Sequence, residues 1–177
     1  MKIIKTKIKD LKIIKFNKIS DQRGIFYRNY CAKEFLKITK KKIVQSNFSF
    51  NKKKYTLRGF HYQKYPSKEG KFITCLNGKI YNVTIDLRKN SNTYLKNFCI
   101  IVDSNKYKSL YIPPGCANAF LTMENNTTIH YLMTDYYKPK SYECFNYRSK
   151  EIKVQWPAKP KVISYKDKNS KNLNLDE

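Results

Sequence analysis

Acidic residues are scarce in this 177-residue chain: 13 Asp and Glu stand against 37 Lys and Arg, a formal charge of +24. Such an excess raises the question of a nucleic-acid or anionic-membrane surface. Arginine is scarce too, with five arginines against 32 lysines, and the lysines are scattered rather than gathered in one tract. Sequence-reading nucleic-acid proteins lean on the planar arginine fork, so the pattern reads as compositional bias and not as a nucleic-acid site. A diffuse positive field still favours capture of an anionic substrate. Long apolar runs are missing. The N-terminus MKIIKTKIKDLKIIKF breaks its apolar residues with lysines and lacks the core of a signal peptide, and no stretch approaches membrane-spanning length. The five cysteines (Cys31, Cys75, Cys99, Cys116, Cys144) form no CxxC pair or zinc pattern. Free thiols in a reducing compartment are the expectation, and with them a soluble, cytoplasmic protein. Only two histidines occur, His61 and His130, in no cluster with a carboxylate, which argues against a histidine-based metal centre. No GxGxxG or P-loop is present, so no dinucleotide or nucleoside triphosphate cofactor is implied.

What the chain has in quantity is aromatic residues, 15 Tyr and 10 Phe with a single Trp. Such rings favour strands and can line a pocket. Residues 2–9 and 11–16 read as short strands around Asp10, and residues 21–24 as a turn. Residues 31–39 are the best helical segment. Further β-type stretches fall at 43–50, 71–76, 79–86, 97–102, 109–112, 119–123 and 127–134. Asn77-Gly78 between two of them is a hairpin signal, and Glu124-Asn125-Asn126 looks like another tight turn. No repeat or linker divides the chain, so residues 1–177 are expected to form one domain, with a polar, mobile tail from about residue 168. Many short strands with regular turns imply an all-β sandwich or barrel.

Four stretches carry the reading further. They are Asp21-Gln22-Arg23-Gly24-Ile25-Phe26; Gln45-Ser46-Asn47-Phe48-Ser49 with Leu57-Arg58-Gly59-Phe60-His61-Tyr62-Gln63; Gly70-Lys71 with Gly78, Val83-Thr84-Ile85-Asp86-Leu87-Arg88, Ser91 and Thr93; and Tyr111-Ile112-Pro113-Pro114-Gly115-Cys116-Ala117 leading to Tyr131 and Thr134-Asp135-Tyr136-Tyr137. Trp156-Pro157 and Ser164-Tyr165-Lys166-Asp167 complete the pattern. In this order they resemble the dTDP-4-dehydrorhamnose 3,5-epimerase family over about residues 15–170. The resemblance implies a cupin-type double-stranded β-helix, or jelly-roll, barrel with a few short helices. It implies an isomerase without cofactor or metal that inverts C3 and/or C5 of a nucleotide-linked 4-keto-6-deoxyhexose in deoxysugar and surface polysaccharide biosynthesis.

That chemistry needs a base, an enolate stabiliser and an acid across the ring. By resemblance His61 is the base, Asp167 its carboxylate partner, Lys71 the enolate stabiliser and Tyr131 the acid. Arg23, Gln45, Asn47 and Arg58 are implied nucleotide and diphosphate contacts, and Tyr137 a wall residue against the ligand. For Arg23 and Arg58 an ion pair with a turn carboxylate such as Asp21 is the structural alternative. The chain departs from the family pattern at Asn118, where the family has His, at Asn82, where it often has Asp, and at Arg28, where it often has Glu. An amide at 118 can hydrogen-bond but cannot shuttle a proton. A keto-sugar isomerase and a non-catalytic nucleotide-sugar-binding barrel are the competing readings. The resemblance also implies a homodimer in which an N-terminal strand crosses to the partner, with residues 2–16 as the candidate.

Overall fold

Alternating inward and outward side chains build two antiparallel sheets, which close on each other in the computed structural model; it describes residues 1–175. The first sheet has the order β1-β2-β10-β7-β12-β5, formed by β1 (Lys2–Lys5), β2 (Lys12–Lys15), β10 (Lys108–Ile112), β7 (Lys71–Asn77), β12 (Thr127–Met133) and β5 (Gln45–Asn51). The second has the order β13-β6-β11-β8-β9, from β13 (Tyr142–Cys144), β6 (Thr56–Gln63), β11 (Cys116–Thr122), β8 (Lys79–Asp86) and β9 (Asn97–Asp103). The two-residue β14 (Val162–Ile163) runs parallel to the start of β6. From β5 to β12 the chain passes repeatedly between the two sheets, which is the winding of a jelly roll. A separate hairpin, β3 (Lys18–Asp21) with β4 (Gly24–Tyr27), pairs with neither sheet.

Three apolar clusters follow from the alternation. Ile73, Ile80, Leu110, Cys116, Phe120 and Ile129 fill one end of the space between the sheets. The outer face of the first sheet is covered by α1 (Ala32–Thr39), whose Phe35 packs on Phe72 at 4.3 Å between ring centroids. Phe60, Val83, Ala117 and Ala119, on the outer face of the second sheet, lie under Phe145 and Ile152. The far end of the inter-sheet space is left unfilled, and His61, Lys71 and Tyr131 line it.

Several expectations change. Asn77-Gly78 closes no hairpin: β7 pairs with β10 and β12, β8 with β11 and β9, so the turn carries the chain from one sheet to the other. Gly78 is still required, because its φ is +80° and a Cβ would meet Thr127 Oγ1 at 2.7 Å. Residues 2–16 are not free to cross to a partner. β1 and β2 pair with each other, β2 pairs with β10, and Ile8, Leu11, Ile14 and Phe16 are buried in this chain's own core. Residues 168–173 of the expected mobile tail are tied down: Asn146 Nδ2 donates to Lys168 O and Ser170 O, and Leu173 N donates to Ser149 Oγ. Residues 176–177 of that tail lie outside the described residues.

Candidate active site

β6 supplies the first side of the site through a bulge. Asn118 lies opposite His61 and Phe120 opposite Arg58, so three steps along β6 match two along β11. In a regular strand Arg58 and His61 would face opposite sides; the extra residue turns both toward the space between the sheets. Gly59 makes this possible. Its φ is +119°, and a Cβ there would lie 2.5 Å from Ala119 Cβ and 2.6 Å from Asn118 O.

The outer edge of β6 is shared by two short partners. β14 covers Thr56 and Leu57, and β13 covers His61 to Gln63. Between them Gly59 N–H is free of any strand, and α2 (Tyr165–Lys168), which follows β14 through its Ser164 cap, delivers Asp167 into that gap. Asp167 Oδ2 accepts from Gly59 N at 3.2 Å, and Oδ1 lies 2.7 Å from His61 Nε2. Burial pushes the Asp167 carboxyl up, but the bonds from His61 and Gly59 outweigh it and leave it below its ordinary value. In a neutral ring, an ionised Asp167 holds the His61 proton on Nε2, which leaves the lone pair on Nδ1.

His61, Asn118 and Arg58 from the second sheet and Asn47, Lys71 and Tyr131 from the first line one open cavity of about 280 Å³. Tyr131 comes from β12, where Ile129, Tyr131 and Met133 face inward. Burial raises the Tyr131 phenol well above its ordinary value, against a smaller lowering by Arg58, so it is protonated at neutral pH. Lys71, two residues before Ile73 on the neighbouring strand, is buried and paired with Glu69 at 2.9 Å. Arg58 is exposed at the mouth, steadied by a 2.9 Å bond from Nε to Asn51 Oδ1, and pairs with no carboxylate among the described residues. Asn118 Nδ2 donates to Asn82 Oδ1 at 2.8 Å and Val83 O at 2.9 Å, which fixes the amide orientation.

Other residues singled out from sequence lie elsewhere. Arg23 sits at the β3–β4 tip, 85% exposed and 2.6 Å from Asp21, so the turn ion pair holds and Arg23 does not reach this chain's cavity. Gln45 does not line the cavity; its Oε1 accepts from Tyr137 N at 2.8 Å and holds that wall residue in place. Arg28 is exposed and outside the site. His130 faces away from the cavity, between Ser46 and Asn29 and stacked on Phe48. Among the lining residues that the motif reading does not assign to the site are Gln63, Glu69 and Tyr142. Period-two alternation from His61 points to Gln63, and Glu69 stands two before Lys71, but no motif marks Tyr142. The Tyr142 ring centroid lies 5.5 Å from that of His61 and 5.8 Å from that of Tyr137. Lys166 Nζ sits 4.1 Å from the centre of the same ring. A larger cavity, about 820 Å³, lies between the second sheet and residues 165–175, and none of the four expected catalytic residues lines it.

A jelly-roll barrel with a carboxylate-bound imidazole, an ammonium and a phenol at one cavity has the frame of a cupin-type isomerase. Comparison with known proteins makes this specific. The sequence profile of the dTDP-4-dehydrorhamnose 3,5-epimerase family matches residues 5–174, and the chain belongs to that family. It is 32% identical over 159 residues to the dTDP-4-dehydrorhamnose 3,5-epimerase of Salmonella typhimurium, covering 89% of this chain and 86% of that one. Against the Shigella flexneri enzyme of the same name, identity is 31%, with 98% and 96% covered. The crystal structure of the Bacillus anthracis enzyme with TDP and PPi bound superposes with a TM-score of 0.92 at 32% identity, covering 97% of this chain and 99% of that one. The Legionella pneumophila dTDP-6-deoxy-D-glucose-3,5-epimerase, in complex with dTDP-4-keto-L-rhamnose, gives 0.91 at 32% identity, with 99% and 93% covered. No helix among the described residues is long and apolar enough to cross a membrane.

Proposed function

We propose that this chain inverts C3 and/or C5 of a dTDP-linked 4-keto-6-deoxyhexose, in the cytoplasm, as a step toward a dTDP-deoxysugar such as dTDP-rhamnose. The observation that carries the reading is the Asp167-bound imidazole on one sheet and the half-buried Tyr131 phenol on the other, with one cavity between them. The C4 ketone acidifies the neighbouring C–H bonds. His61 Nδ1 takes the proton, and the electron pair of the broken C–H bond moves into the ketone to form an enolate. The Lys71 ammonium meets the developing oxyanion, where a fixed, largely buried charge acts more strongly than it would in water. Asp167 stabilises the imidazolium that forms. Tyr131 delivers a proton to the opposite face of the same carbon, which inverts it, and solvent restores the two residues. No redox step is involved.

The cavity is at the small end of ligand sites, which span roughly 300–1,000 Å³. It suits the sugar ring, with the diphosphate at the mouth on Arg58, whose planar fork fits phosphate. Arg23 and the unpartnered β3–β4 hairpin belong to a homodimer reading. Ile19, Ile25 and Phe26 on the hairpin, and Phe48 and Phe50 on the edge strand β5, are exposed apolar side chains. A second copy would cover them and would bring Arg23 to its partner's cavity mouth. The test is turnover of dTDP-4-keto-6-deoxyglucose in D2O. The wild-type enzyme is expected to incorporate deuterium at C3 or C5, and His61→Ala to lose incorporation by at least about 10²-fold. Unchanged incorporation by His61→Ala removes the imidazole from the mechanism.

A further inference from the structure

The carboxylate of Glu69 is the one acidic group lining the cavity among the described residues, and the mechanism above gives it no task. Its side chain is 7% exposed and that of Lys71 is 10% exposed, with Oε1 2.9 Å from Lys71 Nζ. The other oxygen, Oε2, accepts from Gln63 Nε2 at 2.5 Å. Gln63 is itself held: Nε2 also donates to Tyr136 O at 3.2 Å, and Oε1 accepts from Lys138 N at 2.7 Å. The segment bearing the wall residue Tyr137, the Gln63 amide, the Glu69 carboxylate and the Lys71 ammonium thus form one continuous hydrogen-bonded chain ending in the cavity.

We propose that Glu69 is the positioning residue for Lys71, holding its ammonium charged and aimed into the cavity through the Gln63 clamp. The proposal rests on the reading of Lys71 as enolate stabiliser. A lysine buried without a carboxylate tends to give up its proton, since burial disfavours the charged form. A long, flexible ammonium stem also needs fixing if its charge is to meet an oxyanion at one place. Glu69 meets both needs, and the pair is neutral overall before the reaction begins. The other titratable groups facing the cavity are Arg58, His61 and Tyr62 from β6, Tyr131 from β12, and Tyr137 and Tyr142. Arg58 is fixed on Asn51 and His61 on Asp167, so neither is a partner for Lys71.

The test compares Glu69→Gln, Glu69→Asp, Lys71→Met and Glu69→Gln/Lys71→Met by deuterium incorporation from about pH 6 to about pH 10, a range that brackets deprotonation of a buried amine. Glu69→Gln keeps the shape and a hydrogen-bonding oxygen while removing the charge. It is expected to lower kcat about tenfold or more with KM changed less than about threefold. Its alkaline fall in kcat should also begin at lower pH than in wild type, as the amine loses its proton. Glu69→Asp should recover part of the loss, and Glu69→Gln should add no further loss once Lys71 is Met. A wild-type kcat–pH profile in Glu69→Gln, or independent losses in the double variant, overturns the proposal. Melting temperatures read the same pair without turnover, so an inactive wild-type chain would count against the proposed function alone. Removing Lys71 leaves a buried, unpaired carboxylate, so the double variant should melt higher than Lys71→Met; a double variant that melts no higher contradicts the pairing.

Discussion

His61 depends on the carboxylate behind it, and Asp167 is anchored by both the imidazole and the Gly59 amide. Asp167→Asn keeps the shape but removes the charge that stabilises imidazolium and fixes the tautomer. We expect kcat to fall by roughly 10²–10⁴-fold with the fold intact by circular dichroism. The same carboxylate has a pH consequence. Its folded value lies below the ordinary one, so its contribution to stability is present above about pH 4 and is lost as pH falls through the folded value. Melting temperatures of Asp167→Asn should therefore decline less than those of wild type between about pH 5 and about pH 3. At this scale the motifs expose His61, Lys71, Arg58, Asn118 and Tyr131 as cavity residues because each stands in an ordered pattern. Glu69 is hidden among scattered charges, since its meaning comes from Gln63 and Lys71 folding against it. Arg23 is legible as a motif residue but not as a place: only the free hairpin shows that it cannot serve its own chain's cavity.

At the scale of the element, β6 concentrates the site. Its bulge presents Arg58 and His61 on one face, and its divided edge receives Asp167. Gly59→Ala adds a methyl into the Ala119 backbone at a φ of +119°. We expect a loss on the order of 3 kcal/mol, or a melting temperature lower by roughly 6–12 °C in a chain of this size, together with loss of activity as Asp167 is displaced. The same bulge explains why β6 does not read as a strand: the inward positions 58 and 61 break the period of two. β7, β8 and β12 are legible to within a residue or two, although β7 has an extra residue of its own near its end, opposite Thr128 and Ile129. Asn77-Gly78 fails as a hairpin because a tight turn states only that the chain reverses; which sheet the next strand joins depends on pairings far along the chain.

For the whole molecule, the jelly roll leaves one end of its interior open and one hairpin without a sheet. Light scattering should give the mass of a dimer, and Phe26→Asp with Phe48→Asp should give a monomer that still folds, because both rings are exposed in the single chain, at 71% and 69%. The monomer should lose substrate affinity more than turnover if Arg23 contacts the partner's ligand. The all-β class is legible from strand spacing, and the winding only from the family resemblance, because alternation does not say which strands pair. Inversion in this site requires base and acid on opposite sheets. The most direct measurement is position-resolved NMR of the sugar after reaction of Tyr131→Phe with dTDP-4-keto-6-deoxyglucose in D2O. Deuterium entering C3 or C5 with the original configuration retained is the predicted result, since His61 can still remove and return a proton from its own side. Inversion at the wild-type rate would contradict it.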